Sequence, residues 1–404
     1  MPPAPRSRVA LFAALLPLLL AAQPVATDSY LPALPAIARE LGSASTSLTA
    51  FVLAFGAAQL GFGPLADRWG RRPVLLLGLA LYTVAALACA WAPGTAALAA
   101  LRAAQGLAMA AILVCARAAV RDLFSAGEGL QVMARGLSGL GVVALISPLA
   151  GAWMVQTFGW RAVMVAMGVY GALLGVACWR WFGETLGARG ASAAVPESSR
   201  AQVRQVLTNG PFRVWTGVSS FSYAGVFCFL LLSPMVYITL LGLSPALYGW
   251  IPAGGSLVYI ASTQLCRRLL RHRGAVRTVQ LGALSSVSGG LMQVAGWLLW
   301  PGAAWPLLAG HAVYVLGHGI HQPCGQAGAV QDLPALAGRA VSWSGFLMML
   351  CAFCAGQTAA LFVGPQMPYG PWPMVLPLLL AGVVLVVLAF TVLPRHAVAA
   401  RPAA

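Results

Sequence analysis

The sequence predicts an all-α membrane protein whose twelve transmembrane helices form two six-helix bundles. Hydrophobic residues make up 60% of the chain and charged residues only 8%, whereas soluble proteins carry about 25% charged residues. The apolar residues lie in runs of about the 20 residues that a helix needs to cross a bilayer. A single long polar stretch divides these runs into two sets of six. This composition excludes a soluble enzyme, a nucleic-acid-binding domain and a coiled coil.

The predicted helices are apolar runs separated by clusters of Arg, Pro or Gly. The first run follows Arg6 and Arg8 and could be a signal peptide, but eleven further runs favour a helix that is retained. The twelve runs cover residues 9–31, 46–66, 73–91, 96–119, 132–155, 160–182, 213–240, 246–266, 276–299, 304–328, 338–363 and 371–393.

The polar stretch after the sixth run predicts the domain organisation. It makes residues 1–182 an N-terminal six-helix bundle, 183–212 a cytoplasmic linker and 213–404 a C-terminal six-helix bundle. A parallel repeat of two such bundles is typical of one large class of transporters, whose substrate site lies between the halves near the bilayer midplane.

The basic residues predict the orientation in the membrane. All 24 are arginines, and with a cytoplasmic N-terminus only Arg39, Arg102 and Arg161 lie at the outer ends of the helices. Cytoplasmic loops carry such an excess of basic residues, so both termini are predicted to be cytoplasmic. The net charge of +16 is therefore explained by orientation and lipid headgroup contact, and no nucleic-acid partner is expected.

The loop between the second and third runs reads GPLADRWGRRP over residues 63–73. It resembles the cytoplasmic signature loop of the major facilitator superfamily at almost every position. The resemblance implies the major facilitator fold and a role in conformational change for Gly63, Asp67, Arg68, Gly70, Arg71 and Arg72.

Two further runs resemble motifs of the same superfamily. In the fourth run, Arg102 with Gln105 resembles the motif whose intramembrane Arg is implicated in proton relay; the alternative is a headgroup anchor at the outer surface. In the fifth run, Pro148 and Gly151 match the antiporter motif of drug:proton exporters only partly, so generic helix packing is the alternative.

Three short segments are similar to the Bcr/CflA family of bacterial multidrug exporters: TDSYLPALP at 27–35, RAAVRD at 117–122 and ETL at 184–186. The similarity implies a monomer in the cell inner membrane that exports small organic compounds, such as drugs or metabolites, in exchange for protons. Its partners would be the small-molecule substrate, protons and the lipid bilayer, with no cofactor or metal. A proton-coupled uptake symporter or a facilitator is the alternative. A membrane-embedded enzyme acting on lipid-linked substrates is disfavoured, because such enzymes use clustered acids or a nucleophile and base at one membrane face, and acids are scarce in this sequence.

Asp28 is the only acid placed within an apolar run. An ionised carboxylate in lipid is costly, so an acid there is a functional candidate by default. We therefore expect Asp28 to bind the coupled proton with Arg102 as its partner. The alternative is an acid at a helix end, in the outer headgroups.

The superfamily resemblance implies that the first, fourth, seventh and tenth helices line the substrate cavity. Aromatic walls with few polar groups suit bulky lipophilic or cationic compounds. In the tenth run, His311 and His318 share a helix face with Tyr314; packing, proton coupling or substrate contact, and metal binding stay open for the histidines of this run, which include His321. The candidate wall residues are Gln23, Tyr30, Tyr223, Phe227, Tyr237, His311, Tyr314, His318 and Gln322.

The topology is tested by reporter fusions. Fusions after Ala194 and after Ala404 should report a cytoplasmic position, and a fusion in the short loop from Gly242 to Ser244 should report the outside. An external signal at Ala194 would contradict the division into six and six helices.

Overall fold

The computed structural model describes residues 6–186, 199–363 and 367–398, and within these ranges every regular element is a helix. The chain divides into two compact units, Met1–Pro196 and Glu197–Ala404. Part of the predicted linker, residues 187–198, lies outside the described residues.

The first unit contains the six predicted N-terminal spans. The helices are α1 (Arg6–Thr27), α2 (Leu34–Leu41), α3 (Ser45–Trp69), α4 (Arg71–Cys89), α5 (Thr95–Leu123), α6 (Ala126–Phe158) and α7 (Trp160–Trp181). The first predicted run, residues 9–31, corresponds to α1, and a 3-10 turn at Leu31–Ala33 leads from it to a short helix, α2, that the sequence analysis did not predict.

The second unit begins with a short helix that the sequence analysis did not predict, inside the polar linker. Its helices are α8 (Ser199–Thr208), α9 (Gly210–Pro234), α10 (Pro245–Leu299), α11 (Ala304–Gly328), α12 (Ala337–Ala360), α13 (Trp372–Val387) and α14 (Leu393–Val398). Single π-helical turns extend α9 through Met235–Leu240 and join α13 to α14 through Leu388–Val392.

Helix α10 contains two of the predicted spans. Gly274 breaks it with a φ of +71°, a conformation that glycine adopts without steric cost. The two arms on either side of this residue correspond to the predicted runs 246–266 and 276–299.

Nine helical segments of the described ranges are long and apolar enough to cross a membrane. The arms of α10 and helix α11 are not among them. Arginines cluster between the two arms, and α11 contains three histidines and five glycines. Counting both arms and α11 as spans gives the twelve predicted helices.

Helix α6 lies against the turn that follows α1. A Cβ atom added to Gly151 of α6 would overlap the backbone of Ser29, so the helix can approach the break after α1 only because position 151 has no side chain. Less than one turn closer to the start of α6, Pro148 lies within the same helix. The partial antiporter motif thus lies against the turn that contains Asp28.

Helix α11 packs equally closely against both arms of α10. A Cβ at Gly317 would meet Ser286 on the second arm, and a Cβ at Gly319 would meet Ser262 on the first arm at 2.6 Å. Small residues let membrane helices approach each other in this way. The side chains that α11 presents to its neighbours are buried as a result.

We expect Gly151→Ala to lower the free energy of unfolding by about 1–3 kcal/mol, because the added methyl group must displace the Ser29 turn. The measurement is thermal unfolding of the purified protein in detergent. Gly61→Ala is the matched control, since Gly61 lies in α3 with open space around its Cβ position, and alanine favours a helix by about 1 kcal/mol over glycine. Equal stabilities of the two variants would contradict the close contact.

Candidate functional site

The first group of site residues surrounds the start of α4. The Glu184 carboxylate accepts hydrogen bonds from the backbone N–H groups of Arg71 (2.9 Å) and Arg72 (3.1 Å). It also accepts 2.9 Å bonds from the backbone N–H groups of Thr185 and Leu186. The first N–H groups of a helix have no partner within the helix and favour a negative charge. Glu184 therefore caps α4 from a segment more than a hundred residues away in the sequence.

Arg71 connects this cap to two more carboxylates. Its Nη1 lies 2.6 Å from Oδ1 of Asp67, and its Nε donates a 3.1 Å hydrogen bond to Oδ2 of Asp122. The hydroxyl of Thr185 donates to the same Asp122 oxygen at 3.1 Å. Arg71 is only 6% exposed. Its charge is thus compensated by two acids from the ends of α3 and α5.

Gly70 makes the approach of Glu184 possible. Its φ is +97°, and a Cβ atom at this position would collide with the Glu184 carboxylate. Arg72 continues the group by donating from Nη2 to the Trp179 carbonyl at 2.8 Å. Of the other predicted loop residues, Gly63 faces open space and Arg68 is exposed. Asp67, Gly70, Arg71, Arg72, Asp122, Glu184 and Thr185 are named the signature cluster.

Replacing the capping acid tests the signature cluster. Glu184→Gln should lower the free energy of unfolding by about 2 kcal/mol, because the amide group cannot accept from all of the N–H donors around it. Asp67→Asn should change it by less than about 1 kcal/mol, since Asp67 is 62% exposed and exposed ion pairs contribute little. Thermal unfolding in detergent measures both. A larger loss for Asp67→Asn would contradict this ranking.

A second group of site residues surrounds Arg102, which has no exposed surface. Its Nη2 donates a 2.9 Å hydrogen bond to the Ala26 carbonyl, and its Nη1 donates a 2.5 Å bond to Oε1 of Gln105. The guanidinium carbon lies 4.3 Å from the Tyr30 ring centroid and 4.7 Å from that of Phe51. Two aromatic faces at this distance attract a cation. The alternative of an exposed headgroup anchor is therefore wrong for Arg102.

The expected ion pair between Asp28 and Arg102 is absent from the described residues, and that part of the sequence prediction is wrong for this conformation. Asp28 is partly exposed and accepts a 2.7 Å hydrogen bond from the hydroxyl of Thr27. Arg102 instead caps the last turn of α1, whose carbonyls lack partners within the helix and favour a cation. Its contact at Ala26 is two residues before Asp28.

The Tyr30 ring is held in place beneath Arg102 by its own hydroxyl. This hydroxyl and the Ser47 hydroxyl lie 2.7 Å apart, and both side chains have no exposed surface. In this conformation the Tyr30 ring therefore packs against the guanidinium of Arg102.

A third group of site residues lies in the second unit, where α9 meets α11. The Ser222 hydroxyl lies 2.9 Å from Nδ1 of His318 and 3.2 Å from Nδ1 of His321. His321 Nε2 lies 3.4 Å from the Val279 carbonyl on α10. The Tyr314 hydroxyl donates a 3.4 Å bond to the Ser222 carbonyl. A single serine thus joins two histidines that are one helical turn apart.

His311 lies on the same face of α11 but has different contacts from His318 and His321. Its ring stacks on Phe229 with centroids 3.3 Å apart and planes within 7°. Its Nδ1 is buried without a hydrogen-bond partner in the described residues. In those ranges no three His, Cys, Asp or Glu residues come together as a metal site.

Most candidate wall residues are buried within their own unit. Phe227 stacks on Tyr223 with centroids 6.2 Å apart, and Gln322 donates a 2.9 Å bond to the Ser219 carbonyl. Gln23 and Tyr223 are partly exposed. The buried candidates are Tyr30, Phe227, Tyr237, His311, Tyr314, His318 and Gln322, with 0–7% of their surface exposed.

The sequence analysis missed two features of these sites. Ser222 was not singled out, although Ser219, Ser220 and Ser222 form a polar group in an otherwise apolar helix. The thiols of Cys266 and Cys324 lie 3.7 Å apart across α10 and α11, a pairing of distant residues that carries no sequence signal.

Comparison with known proteins relates these sites to a transporter family. The family model described as Major Facilitator Superfamily matches residues 18–356. A bicyclomycin resistance protein homolog of Haemophilus influenzae is 26% identical over 354 residues, which cover 83% of this chain and 85% of that protein. A chloramphenicol resistance protein of Pseudomonas aeruginosa is 38% identical over 164 residues, which cover 39% of each chain.

A solved structure shares the fold over nearly the full length. The bacterial homologue of the human lysosomal transporter Spinster superimposes with a TM-score of 0.73 at 12% identity, covering 98% of each chain. At this identity the likeness concerns the fold alone.

Proposed function

This chain belongs to the Major Facilitator Superfamily, and on that premise we propose that it exports small organic compounds from the cell in exchange for protons. The proposal is supported by the names of its relatives, which are a bicyclomycin resistance protein homolog and a chloramphenicol resistance protein. Small organic antibiotics of this kind are the substrate class that we propose. The protein would lie in the inner membrane with both termini in the cytoplasm.

The observation that carries the proposal is that the buried cation Arg102 contacts residues on both sides of Asp28 in the sequence: its Nη2 donates to the Ala26 carbonyl, and its guanidinium carbon lies 4.3 Å from the Tyr30 ring centroid. In the described residues Arg102 has no carboxylate within ion-pair distance, although a buried charge without a partner is costly. An ionised Asp28 is attracted to this guanidinium, whereas a protonated Asp28 is not. Proton binding therefore changes the interaction between the turn after α1 and helix α5.

Coupling requires that a ligand bind two conformations with different affinity. In our proposal, a proton from outside neutralises Asp28 and removes its attraction to Arg102. The turn after α1 is then free to rearrange, and substrate is released outward while the proton is carried inward. The close packing of Gly151 on Ser29 extends this rearrangement to helix α6.

The signature cluster has a supporting role in this proposal. Its hydrogen bonds join the ends of α3, α4, α5 and α7 through charged groups, which are satisfied only when the four ends lie together. It would stabilise one of the two conformations of a transport cycle and be broken in the other.

Among the candidate wall residues, Gln23 and Tyr223 are the ones that are partly exposed here, and we propose them as substrate contacts. Tyr237 and His311 pack against Phe229. They would reach substrate only after α9 rearranges.

The role of Asp28 is tested by Asp28→Asn in everted membrane vesicles with a proton-sensitive dye. With chloramphenicol and bicyclomycin as substrates, we expect uphill efflux to fall at least a hundredfold, because asparagine neither binds nor releases a proton. Downhill exchange of the same compounds should be retained.

Glu40→Gln is the matched control, because Glu40 is the next acid along the same segment and pairs with Arg161 at 2.5 Å on a partly exposed surface. It should reduce uphill efflux less than twofold. Normal accumulation and proton release in Asp28→Asn vesicles would show that Asp28 does not carry the coupled proton.

A further inference from the structure

The helices of the second unit, α8–α14, contain no carboxylate side chain with which to recognise a substrate. From residue 199 to the C-terminus the sequence contains a single acid, Asp332, and it follows the end of α11. The polar side chains buried in α9, α10 and α11 are histidine, serine, threonine, tyrosine and glutamine. Polar recognition by these buried side chains must therefore use neutral hydrogen-bonding groups or a histidine.

The hydrogen bonds around Ser222 assign the proton positions of two histidines. The Val279 carbonyl can only accept, so His321 must carry its proton on Nε2. Neutral His321 then has a bare Nδ1, which must accept from the Ser222 hydroxyl. Because this hydroxyl has one proton, its oxygen must accept from Nδ1 of His318.

This order is the one that satisfies every contact for two neutral imidazoles. If His318 carried its proton on Nε2, its Nδ1 would be bare, and Ser222 would have to donate to the Nδ1 atoms of both histidines. Because the hydroxyl has one proton, the Ser222 oxygen and one of these Nδ1 atoms would then face each other with lone pairs at about hydrogen-bond distance. Neutral rings are the appropriate state here, because no carboxylate of the described residues forms an ion pair with either histidine and a buried charge without a partner is costly.

The consequence is a bare acceptor on the other edge of His318. In the described residues its Nε2 has no hydrogen bond, and it is not among the polar atoms that are both unpartnered and fully buried. His318 keeps 7% of its surface exposed. The Tyr223 and Tyr259 rings, both partly exposed, lie 6.3 and 5.5 Å from the imidazole centroid.

We propose that Nε2 of His318 is a hydrogen-bond acceptor for substrate, set between two tyrosine rings and selective for compounds that present a hydroxyl or N–H donor. The tyrosine rings provide apolar contact for the rest of the ligand. Ser222 and His321 are positioning residues, because they hold the proton on Nδ1 of His318 and touch no ligand. The proposal depends on the function proposed above only for the class of ligand.

The first test measures the proton position directly. In nitrogen-15 NMR spectra of the detergent-solubilised full-length protein with labelled histidine, protonated and bare ring nitrogens have different shifts. The chain has five histidines, and the signal lost in His318→Phe identifies His318. We expect Nδ1 protonated and Nε2 bare, and we expect Ser222→Ala to release the second tautomer. A His318 ring protonated on Nε2 in the wild type would overturn the proposal.

The second test measures ligand selectivity by titration calorimetry without a proton gradient. Chloramphenicol is compared with its 1,3-di-O-methyl, N-methyl derivative, which presents no hydroxyl or N–H donor. The wild type should bind chloramphenicol about tenfold more tightly, the effect of one hydrogen bond to a buried acceptor. His318→Phe, which keeps a flat ring but has no acceptor, should bind both compounds equally.

Two further variants distinguish the loss of the Nε2 acceptor from general effects of a substitution. His318→Gln retains a carbonyl acceptor and should keep part of the preference. His272→Phe makes the same exchange at an exposed position of the basic segment and should keep the full tenfold ratio. No preference in the wild type, or an unchanged preference in His318→Phe, would overturn the proposal. Because neither test uses efflux, a failure of proton-coupled export leaves both results interpretable.

Discussion

Burial of the Arg102 charge is the constraint on which the first unit depends. The guanidinium has no exposed surface, and its charge is offset by the Ala26 carbonyl, the Gln105 side chain and the rings of Tyr30 and Phe51. For this to work, α1 must end where α5 can reach its last carbonyls. Three features lie at this point: the break before α2, the hydrogen-bonded hydroxyl of Tyr30 and the contact of Gly151 in α6 with Ser29. Arg102 cannot lose its proton, so this site keeps its positive charge at every physiological pH.

The signature cluster also contains a buried arginine, and here carboxylates compensate the charge. Arg71 is almost fully buried at the end of the helices, and there the chain supplies two acids for its side chain and a third for its backbone N–H group. The cluster is charge-assisted throughout, so its hydrogen bonds are stronger than those between neutral groups. In the middle of the unit, where acids are costly, the chain uses carbonyls and aromatic faces instead.

The helices of the second unit contain buried polar side chains but no acids. Its core of helices α9, α10 and α11 is held by glycine contacts and by a hydrogen-bonded series of neutral side chains through Ser222. Titratable groups of two kinds therefore lie in different units: the carboxyl group of Asp28, at the end of α1, in the first, and imidazoles among hydroxyl groups in the second. This asymmetry is compatible with proton binding in one unit and neutral recognition of substrate in the other.

The sequence by itself determined the membrane class, the two sets of six spans and the signature loop, and it marked Asp28 and Arg102 as candidates for proton coupling. Those features depend on local composition and on motifs a few residues long, because lipid excludes charge wherever it falls in the chain. The tertiary structure decided which groups meet. It gave Arg102 the carbonyl of Ala26 rather than the carboxylate of Asp28, brought Glu184 to the start of α4, and joined His318 to His321 through Ser222. Hydrogen bonds require distances near 3 Å, and residues about a hundred positions apart acquire such distances only when their helices pack.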